Sequence, residues 1–208
     1  MVLGLDTCLT ACSVAVLDGE RVLAHASETM ARGHQERLAP MAQAVMAEAG
    51  LGFPDLQRIG ATVGPGSFTG LRVGVAFAKG LASALAIPAV GVGALEALGA
   101  SAGGMTAAVI DARREQVYLQ VFEDGAPLMA PDALAVGVAA ARLAELAMGR
   151  ALTLIGSGAP LLAEFAPGAA VLTPDGCDAR LVARLAGRRP ATPIRPLYLR
   201  APDAKLPA

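Results

Sequence analysis

The stretch VGPGSFTGLRVG, Val63–Gly74, places four glycines and one proline between a strand-like and a helix-like segment. A glycine-rich turn at such a junction is where α/β proteins often bind phosphates or oxyanions. It is not a Walker loop, because no Gly-Lys-Ser or Gly-Lys-Thr follows its glycines and the nearest lysine, Lys79, lies well inside the expected helix. Ser67 has a nucleophilic side chain, but no His–Asp pair lies near it in the sequence. We therefore expect Ser67 to be the N-cap of the helix.

Small residues recur at every fourth position of the helix that follows this loop. Gly70, Gly74, Ala78 and Ala82 therefore share one helix face, which we call the small-residue stripe. Each glycine costs about 1 kcal/mol relative to alanine in a helix, so a packing benefit should offset it. Because the helix is apolar on more than one side, the pattern predicts one face for the sheet and the stripe for a partner helix. Packing of the stripe against the chain's own sheet is the alternative.

Two segments of the chain share one design. LGLDTCLTACSVAVLDG (Leu3–Gly19) and AVIDARREQVYLQVFEDG (Ala108–Gly125) each begin with an apolar strand that ends in aspartate, Asp6 or Asp111. Each segment ends in Asp-Gly and is followed by helix, strand and helix patterns. The sequence therefore predicts an α/β protein made of two matching βββαβα halves, residues 1–103 and 104–208.

Asp6 and Asp111 are the carboxylates that chemistry at these two turns would use. A hairpin that holds phosphate needs glycine in its turn, so that backbone N–H groups can approach the oxygens. The turns read DTCLT and DARR, and neither contains glycine. We expect turn-capping carboxylates with a structural role, and weak residual nucleotide contact is the alternative.

Histidine and cysteine are too few and too scattered to predict a metal site. The chain has two histidines, His25 and His34, and three cysteines, Cys8, Cys12 and Cys177. A zinc site needs three or four converging protein ligands. We predict no metal and no catalytic residue, with His34 at the start of a helix and the cysteines buried.

The composition argues against several classes of protein. Apolar residues make up 54% and charged residues 17% of the 208 residues, which is typical of a folded globular protein. Aromatic residues make up 3% and the formal net charge is −1, so a free-standing nucleic-acid binder is not expected. The N-terminus lacks a basic region and carries Asp6 in its apolar run, unlike a signal peptide. A cytoplasmic protein with reduced thiols is expected.

A basic cluster occupies the last part of the sequence. Its members are Arg180, Arg184, Arg188, Arg189, Arg195, Arg200 and Lys205. The first three are spaced i, i+4 and i+8, so they lie along one helix face. A solvated helix face is expected, and contact with tRNA inside a larger complex is the alternative.

The motif GPGSFTGLRVGVAFAKGLA (Gly64–Ala82) closely resembles the signature of the bacterial TsaB family of tRNA threonylcarbamoyladenosine biosynthesis proteins. LGLDT with CSVAV, DARREQVY and PLYLRAPDAK fit that family too, so the resemblance runs from the first residues to the last. The family belongs to the actin/hexokinase/Hsp70-like (ASKHA) superfamily, so the resemblance implies duplicated ASKHA halves with a degenerate nucleotide cleft. Gly156-Ser157-Gly158 of this chain sits where members of that superfamily place the adenosine-binding turn. The weak candidates for nucleotide contact are Asp6, Asp111, Gly156 and Gly158.

The resemblance also implies a function. It implies a non-catalytic partner subunit that supports the TsaD transferase, with the ATPase TsaE, in modifying adenosine 37 of tRNAs that read codons beginning with A. ATP and a metal would be used by partner subunits, tRNA would be reached only through the complex, and the chain alone would form a homodimer. TsaD carries a pair of metal-binding histidines, whereas this chain has His34 alone in the matching region. The implied interface on the first two helices comprises His34, Leu38, Met41, Val45, Gly70, Leu71, Gly74, Val75 and Ala78.

Two other functions stay open at this point. A small-metabolite kinase or ATPase of the same fold would turn over ATP as an isolated chain. A glycoprotease-like peptidase would need a nucleophile, and Ser67 is the residue to examine first.

Overall fold

The strands of residues 1–103 form one five-stranded sheet in the order β3-β2-β1-β4-β5. The pairs β1–β2 and β2–β3 are antiparallel, whereas β1–β4 and β4–β5 are parallel. The computed structural model describes residues 1–191 and 193–200. The elements of this half are β1 (Val2–Asp6), β2 (Ala11–Asp18), β3 (Arg21–Thr29), α1 (His34–Glu48), β4 (Arg58–Thr62), α2 (Phe68–Leu85), β5 (Ala89–Val92) and α3 (Ala94–Gly99).

The second half forms another sheet, in the order β11-β10-β6-β7-β8, with β9 paired to β7. The pair β6–β7 is antiparallel and the pairs β6–β10 and β10–β11 are parallel, as in the first sheet. The predicted duplicated α/β fold is therefore confirmed. The elements are β6 (Met105–Arg113), β7 (Gln116–Glu123), β8 (Ala126–Pro127), β9 (Asp132–Ala135), α4 (Val136–Ala147), β10 (Leu152–Ile155), α5 (Ala159–Ala163), β11 (Ala170–Leu172) and α6 (Ala179–Gly187).

The helix predicted from hydrophobic periodicity after β3 is present. It begins at His34, as expected, and continues through Pro40 to Glu48. Its apolar positions three and four residues apart face the core, as an amphipathic helix requires. The buried apolar residues of α1 are Leu38, Met41, Ala42, Val45 and Met46.

Helix α6 packs on the first sheet, although it belongs to the end of the chain. Gly4 of β1 and Gly60 of β4 lie beneath it. A Cβ at Gly4 would overlap the carbonyl oxygen of Ala179, and one at Gly60 would lie 2.5 Å from the Cβ of Ala186. The two glycines therefore let the helix approach the sheet closely.

The division into residues 1–103 and 104–208 coincides with the change from the first sheet to the second. The chain then crosses back, because α6 lies on the first sheet and the amide of Leu197 donates to the carbonyl oxygen of Val63 at 2.7 Å. The division into two halves stays a prediction. Among the described residues, no helix combines the length and the apolar character that a bilayer span requires.

Candidate functional site

The glycine-rich loop packs directly on the turn between β1 and β2. A Cβ at Gly66 would overlap the carbonyl oxygen of Cys8, and one at Gly70 would overlap that of Thr7. The amide of Ser67 donates a hydrogen bond of 2.7 Å to the same Cys8 oxygen. These glycines omit the side chains that would hold the loop away from the turn.

The start of α2 is fixed to the same turn. Ser67 is the N-cap that the sequence predicted, and its Oγ accepts a hydrogen bond from the amide of Gly70 at 3.3 Å. Thr7 Oγ1 donates to the carbonyl oxygen of Gly70 at 2.7 Å. A Cβ at Gly74, one turn further along, would lie 2.5 Å from Thr7 Oγ1.

The small-residue stripe therefore faces the chain's own core, which corrects the face chosen for partner docking. All four of its residues are buried in the single chain, and Ala78 has no exposed surface. Gly70 and Gly74 approach Thr7, so the close contact that the stripe permits is made within the chain. Packing of the stripe against the chain's own sheet, the alternative reading, describes the structure.

The remaining residues of the implied interface are buried too. Their exposed fractions lie between 1% and 8%. A partner cannot reach such side chains without opening the fold, so any contact surface on α1 and α2 must use other residues. His34 Nε2 is buried and has no hydrogen-bond partner within the described residues. The residues concerned are His34, Leu38, Met41, Val45, Leu71 and Val75.

The outward face of α2 carries a second set of small residues. Ala76, Gly80 and Ala84 recur at every fourth position and are exposed, beside the half-buried Val73 and Phe77. A Cβ at Gly80 would meet no atom within 4 Å. The chain's own packing therefore does not require this glycine, although it costs about 1 kcal/mol relative to alanine. Small side chains on this face suit the close approach of another helix.

Asp6 is fully buried where β1, β4 and the segment before α6 meet. Its Oδ1 accepts hydrogen bonds from Thr62 Oγ1 at 2.6 Å and from the amide of Cys8 at 3.0 Å. Its Oδ2 accepts one from the amide of Cys177 at 2.8 Å. Burial raises the pKa of Asp6, while the bonds from Thr62, Cys8 and Cys177 and the nearby His34 act in the opposite direction. The carboxylate ties three segments together, which is a structural role.

Asp111 is partly exposed at the corresponding end of β6. Its Oδ1 accepts a hydrogen bond from the amide of Arg113 at 2.7 Å, and its Oδ2 lies 3.2 Å from Arg113 Nη1. The Gly156 and Gly158 turn packs on β6, since a Cβ at Gly156 would overlap the carbonyl oxygen of Val109 and one at Gly158 would lie 2.9 Å from the Asp111 amide. Nucleotide contact at these positions stays a prediction.

A cleft of about 400 Å³ lies between the β1–β2 and β6–β7 turns. At the β1–β2 turn, which forms one side of the cleft, the amide and the hydroxyl of Thr10 both donate to the carbonyl oxygen of Asp175, at 2.9 and 2.8 Å. The carboxylates of Asp111 and Asp175 line this cleft together with the guanidinium group of Arg113, whose Nη1 lies 3.2 Å from Asp111 Oδ2. The polar side chains that line the cleft include those of Thr10, Ser67, Asp111, Arg113, Ser157 and Asp175.

The three cysteines are buried free thiols. Burial and the nearby Asp6 raise the pKa of Cys8 and Cys177, and they raise the pKa of Cys12 to about 11. These side chains are therefore thiols at neutral pH, which makes them poor nucleophiles and poor metal ligands. In residues 1–191 and 193–200, no three His, Cys, Asp or Glu side chains are grouped to hold a metal. The absence of a metal site stays a prediction.

One cluster of hydrolase-like residue types was not visible in the sequence. Ser13 Oγ lies 3.3 Å from His25 Nε2, and Asp178 Oδ1 lies 3.9 Å from the same nitrogen. In a serine protease the aspartate contacts the other ring nitrogen. Ser13 is only 1% exposed, and its Oγ accepts a hydrogen bond from the amide of Ala179 at 3.3 Å. The cluster holds the start of α6 on β2 and does not present a nucleophile to substrate.

Two arginines on the helix face of the basic cluster are paired with an acidic residue from elsewhere in the chain. Arg184 and Arg188 both form ion pairs with Glu20 of the β2–β3 turn, at 3.2 and 2.8 Å. Glu20 is far from these arginines in the sequence. The arginine content of the C-terminal segment alone therefore overestimates the positive charge of this helix face. Lys205, another member of the cluster, lies outside the described residues.

Comparison with known proteins gives matches over most of the chain. Residues 22–151 match the family described as TsaD, tRNA N6-adenosine threonylcarbamoyltransferase. An uncharacterized protein of Mycobacterium tuberculosis is 38% identical over 98% of this chain and 93% of that relative. The tRNA threonylcarbamoyladenosine biosynthesis protein TsaB of Escherichia coli is 38% identical over 59% of this chain. That match spans 54% of the Escherichia coli protein.

Solved structures extend the match to the whole fold. A Pseudomonas aeruginosa protein described as similar to peptidase YEAZ has a TM-score of 0.83 and 27% identity, over 96% of this chain and 99% of that one. A ROK hexokinase of Thermus thermophilus has a TM-score of 0.52 and 16% identity, over 89% of this chain and 97% of that one, and it shows the fold alone. These comparisons confirm the ASKHA-type fold and the predicted resemblance. The chain belongs to the TsaD family of tRNA threonylcarbamoyladenosine biosynthesis proteins, and its relatives there include those called TsaB.

Proposed function

We propose that this chain is a non-catalytic partner subunit of the complex that installs threonylcarbamoyl on adenosine 37 of tRNAs reading codons that begin with A. It supports a TsaD-like transferase, with a TsaE-like ATPase in the larger assembly. Similarity to the relatives called TsaB supports a place for this chain in tRNA threonylcarbamoyladenosine biosynthesis. One observation supports a non-catalytic role above all others. The glycine-rich loop packs directly on the β1–β2 turn.

This packing matters because the turn is where a phosphate cradle would be built. The amide of Ser67 already donates to the carbonyl oxygen of Cys8, and the amide of Thr10 already donates to that of Asp175. The amide of Cys8 is bound to Asp6. Groups that would have to bind phosphate are thus engaged with the chain itself. The chain alone accordingly needs neither nucleotide nor metal, and partner subunits use ATP and the metal.

The docking surface of this proposal is the outward face of α1 and α2. On α2 it centres on Ala76, Gly80 and Ala84, and on α1 it includes the exposed Gln43 and Ala44. With no large side chain in the way, two helices can pack at short distance. The same face pairs two copies of the chain when the transferase is absent.

The decisive experiment substitutes one alanine on each side of α2. Ala76→Arg places a long charged side chain on the exposed face, so the monomer should fold but lose both self-association and binding to the TsaD-like partner. Overpacking of a close contact typically costs about 1–3 kcal/mol. Size-exclusion chromatography with light scattering measures association, and a complementation assay measures tRNA modification.

Two further variants serve as controls. Ala141→Arg makes the same change on the exposed face of α4 and should leave association intact. Ala78→Arg buries an arginine at a position with no exposed surface and should unfold the chain. A folded Ala76→Arg chain that still binds the partner and still supports modification would refute the proposed docking surface.

The kinase and peptidase alternatives are not favoured. Neither the turn between β1 and β2 nor the turn between β6 and β7 contains the glycine that a phosphate cradle needs. Ser67 serves as a helix cap, and the geometry around Ser13 and His25 is not that of a catalytic triad.

A further inference from the structure

Two aromatic rings and an arginine form an exposed cluster at the start of α2. Phe68 is 52% exposed and Tyr198 is 50% exposed, and their ring centroids lie 5.8 Å apart with the planes inclined by 37°. The Arg72 guanidinium carbon lies 3.7 Å from the Phe68 ring centroid, and Arg72 Nε donates to Tyr198 Oη at 3.4 Å. The whole chain has only two tyrosines, five phenylalanines and no tryptophan. Placing two of its few rings side by side in solvent therefore needs a reason beyond chance exposure.

A hydrogen bond joins the segment that carries Tyr198 to the β6–β7 turn. Arg200, two residues after Tyr198, donates from Nη1 to the carbonyl oxygen of Ala112 at 3.3 Å. Ala112 leads into the turn residues Arg113, Arg114 and Glu115, whose φ angles are +63°, +55° and +56°. Three successive residues with side chains in the left-handed region are uncommon, and such backbone strain is concentrated at functional sites.

The charged surroundings of Arg72 differ from those of the arginines of α6. Helix α2 contains no acidic residue, so nothing on its own helix offsets Arg72. Arg113 has an 86% exposed side chain 3.2 Å from Asp111, and Glu115 is the other acid of the turn. The arginines of α6, by contrast, lie against Asp178 and Glu20. Within the β6–β7 turn, Asp111 and Glu115 balance the charges of Arg113 and Arg114, so Arg72 is the cation that stands beside the exposed rings with no acidic residue on its own helix.

We propose that Phe68, Arg72, Tyr198 and Arg113 form a binding strip for an unpaired stretch of RNA. A base stacks on the exposed ring of Tyr198 or Phe68, because stacking accepts any base. The guanidinium groups of Arg72 and Arg113 bind the flanking phosphates, for which their planar fork is suited. The inference rests on the proposed function, since the complex acts on tRNA. It assigns this subunit a direct contact with the substrate.

Binding of an unmodified tRNA transcript tests the strip, with the chain reconstituted with the TsaD-like transferase. Tyr198→Ala should weaken tRNA binding by about fivefold or more, the effect of losing one stacked base. Arg113→Ala should reduce the slope of log K against log salt concentration by about 0.7 to 1, the signature of one lost phosphate contact. Filter binding over a salt series measures both. Matched controls are Phe165→Ala and Arg142→Ala, which remove an exposed ring and an exposed arginine from the other half.

Each outcome is decisive. Equal affinities for Tyr198→Ala and Phe165→Ala would overturn the inference. Loss of transferase binding in Tyr198→Ala would also overturn it, by showing that the strip is a protein interface. If the wild-type chain does not co-elute with the transferase, the proposed function fails instead. In that case the Tyr198→Ala and Phe165→Ala variants are compared for RNA binding as free chains at low salt. Equal RNA binding by the two variants would overturn the inference.

Discussion

The amide nitrogen of Cys177 donates a hydrogen bond of 2.8 Å to the carboxylate of Asp6, although 171 residues separate the two in the sequence. Asp6 ends the first strand, and Cys177 precedes the helix that returns to the first sheet. Thr62, at the end of β4, binds the same carboxylate at 2.6 Å. The carboxylate of Asp6 thus joins the first strand, β4 and the segment that precedes α6.

Replacement of Asp6 should destabilise the protein strongly. Asp6→Ala leaves the amides of Cys8 and Cys177 and the hydroxyl of Thr62 without their acceptor, and each buried unpaired donor costs about 1–3 kcal/mol. We expect the free energy of unfolding, measured by urea denaturation, to fall by at least about 2 kcal/mol. Asp18→Ala, at an exposed aspartate, should change it by less than about 0.5 kcal/mol. Equal effects for the two variants would contradict the structural role of Asp6.

Two glycines of α2 should respond to alanine in opposite directions. Gly70→Ala places a methyl group onto the carbonyl oxygen of Thr7 and should destabilise the fold by about 1–3 kcal/mol. In the Ala76→Arg background, which removes self-association, Gly80→Ala meets no atom of the chain within 4 Å and should stabilise the helix by up to about 1 kcal/mol. Thermal melts followed by circular dichroism measure both shifts. A lower melting temperature for Gly80→Ala in that monomeric background would show that the chain itself packs against the outward face.

Stability should decrease as the pH falls below about 6.5, the usual pKa of histidine. Burial, together with Arg180, lowers the pKa of His25 in the folded chain, whereas Asp178 opposes the shift. Between the lowered pKa and the unfolded value, the unfolded state binds more protons, so acid favours unfolding. Urea melts at several pH values should show this loss, and His25→Gln should reduce the dependence. An unchanged dependence in His25→Gln would assign the effect to another group.

The isolated chain should not hydrolyse ATP. Both turns lack glycine, and the groups of the β1–β2 turn are bound to the chain itself. Steady-state assays with and without divalent metal should give a rate far below about 1 per second, which is low for an enzyme. A rate near that value that disappears in Asp111→Asn would contradict the non-catalytic role, because Asp111 faces the cleft without being buried.

The sequence determined the element types and the duplicated fold. Helix α1 begins at His34, as the sequence predicted. Ser67 was identified as an N-cap because a small hydroxyl before an apolar helix satisfies free amides locally. Local patterns suffice for such features, since hydrogen bonds within a helix or hairpin and the period of burial depend on near neighbours in the chain.

Only the tertiary structure decided which face of α2 is buried. Gly70 and Gly80 belong to similar fourfold patterns, and the sequence cannot distinguish them. The glycine that lies over Thr7 became the core contact, while the other remained open to solvent. The same limit hid the pairing of Arg188 with Glu20. Such contacts join residues far apart in the chain, so their partners are set by how sheets and helices are stacked and not by the local order of residues.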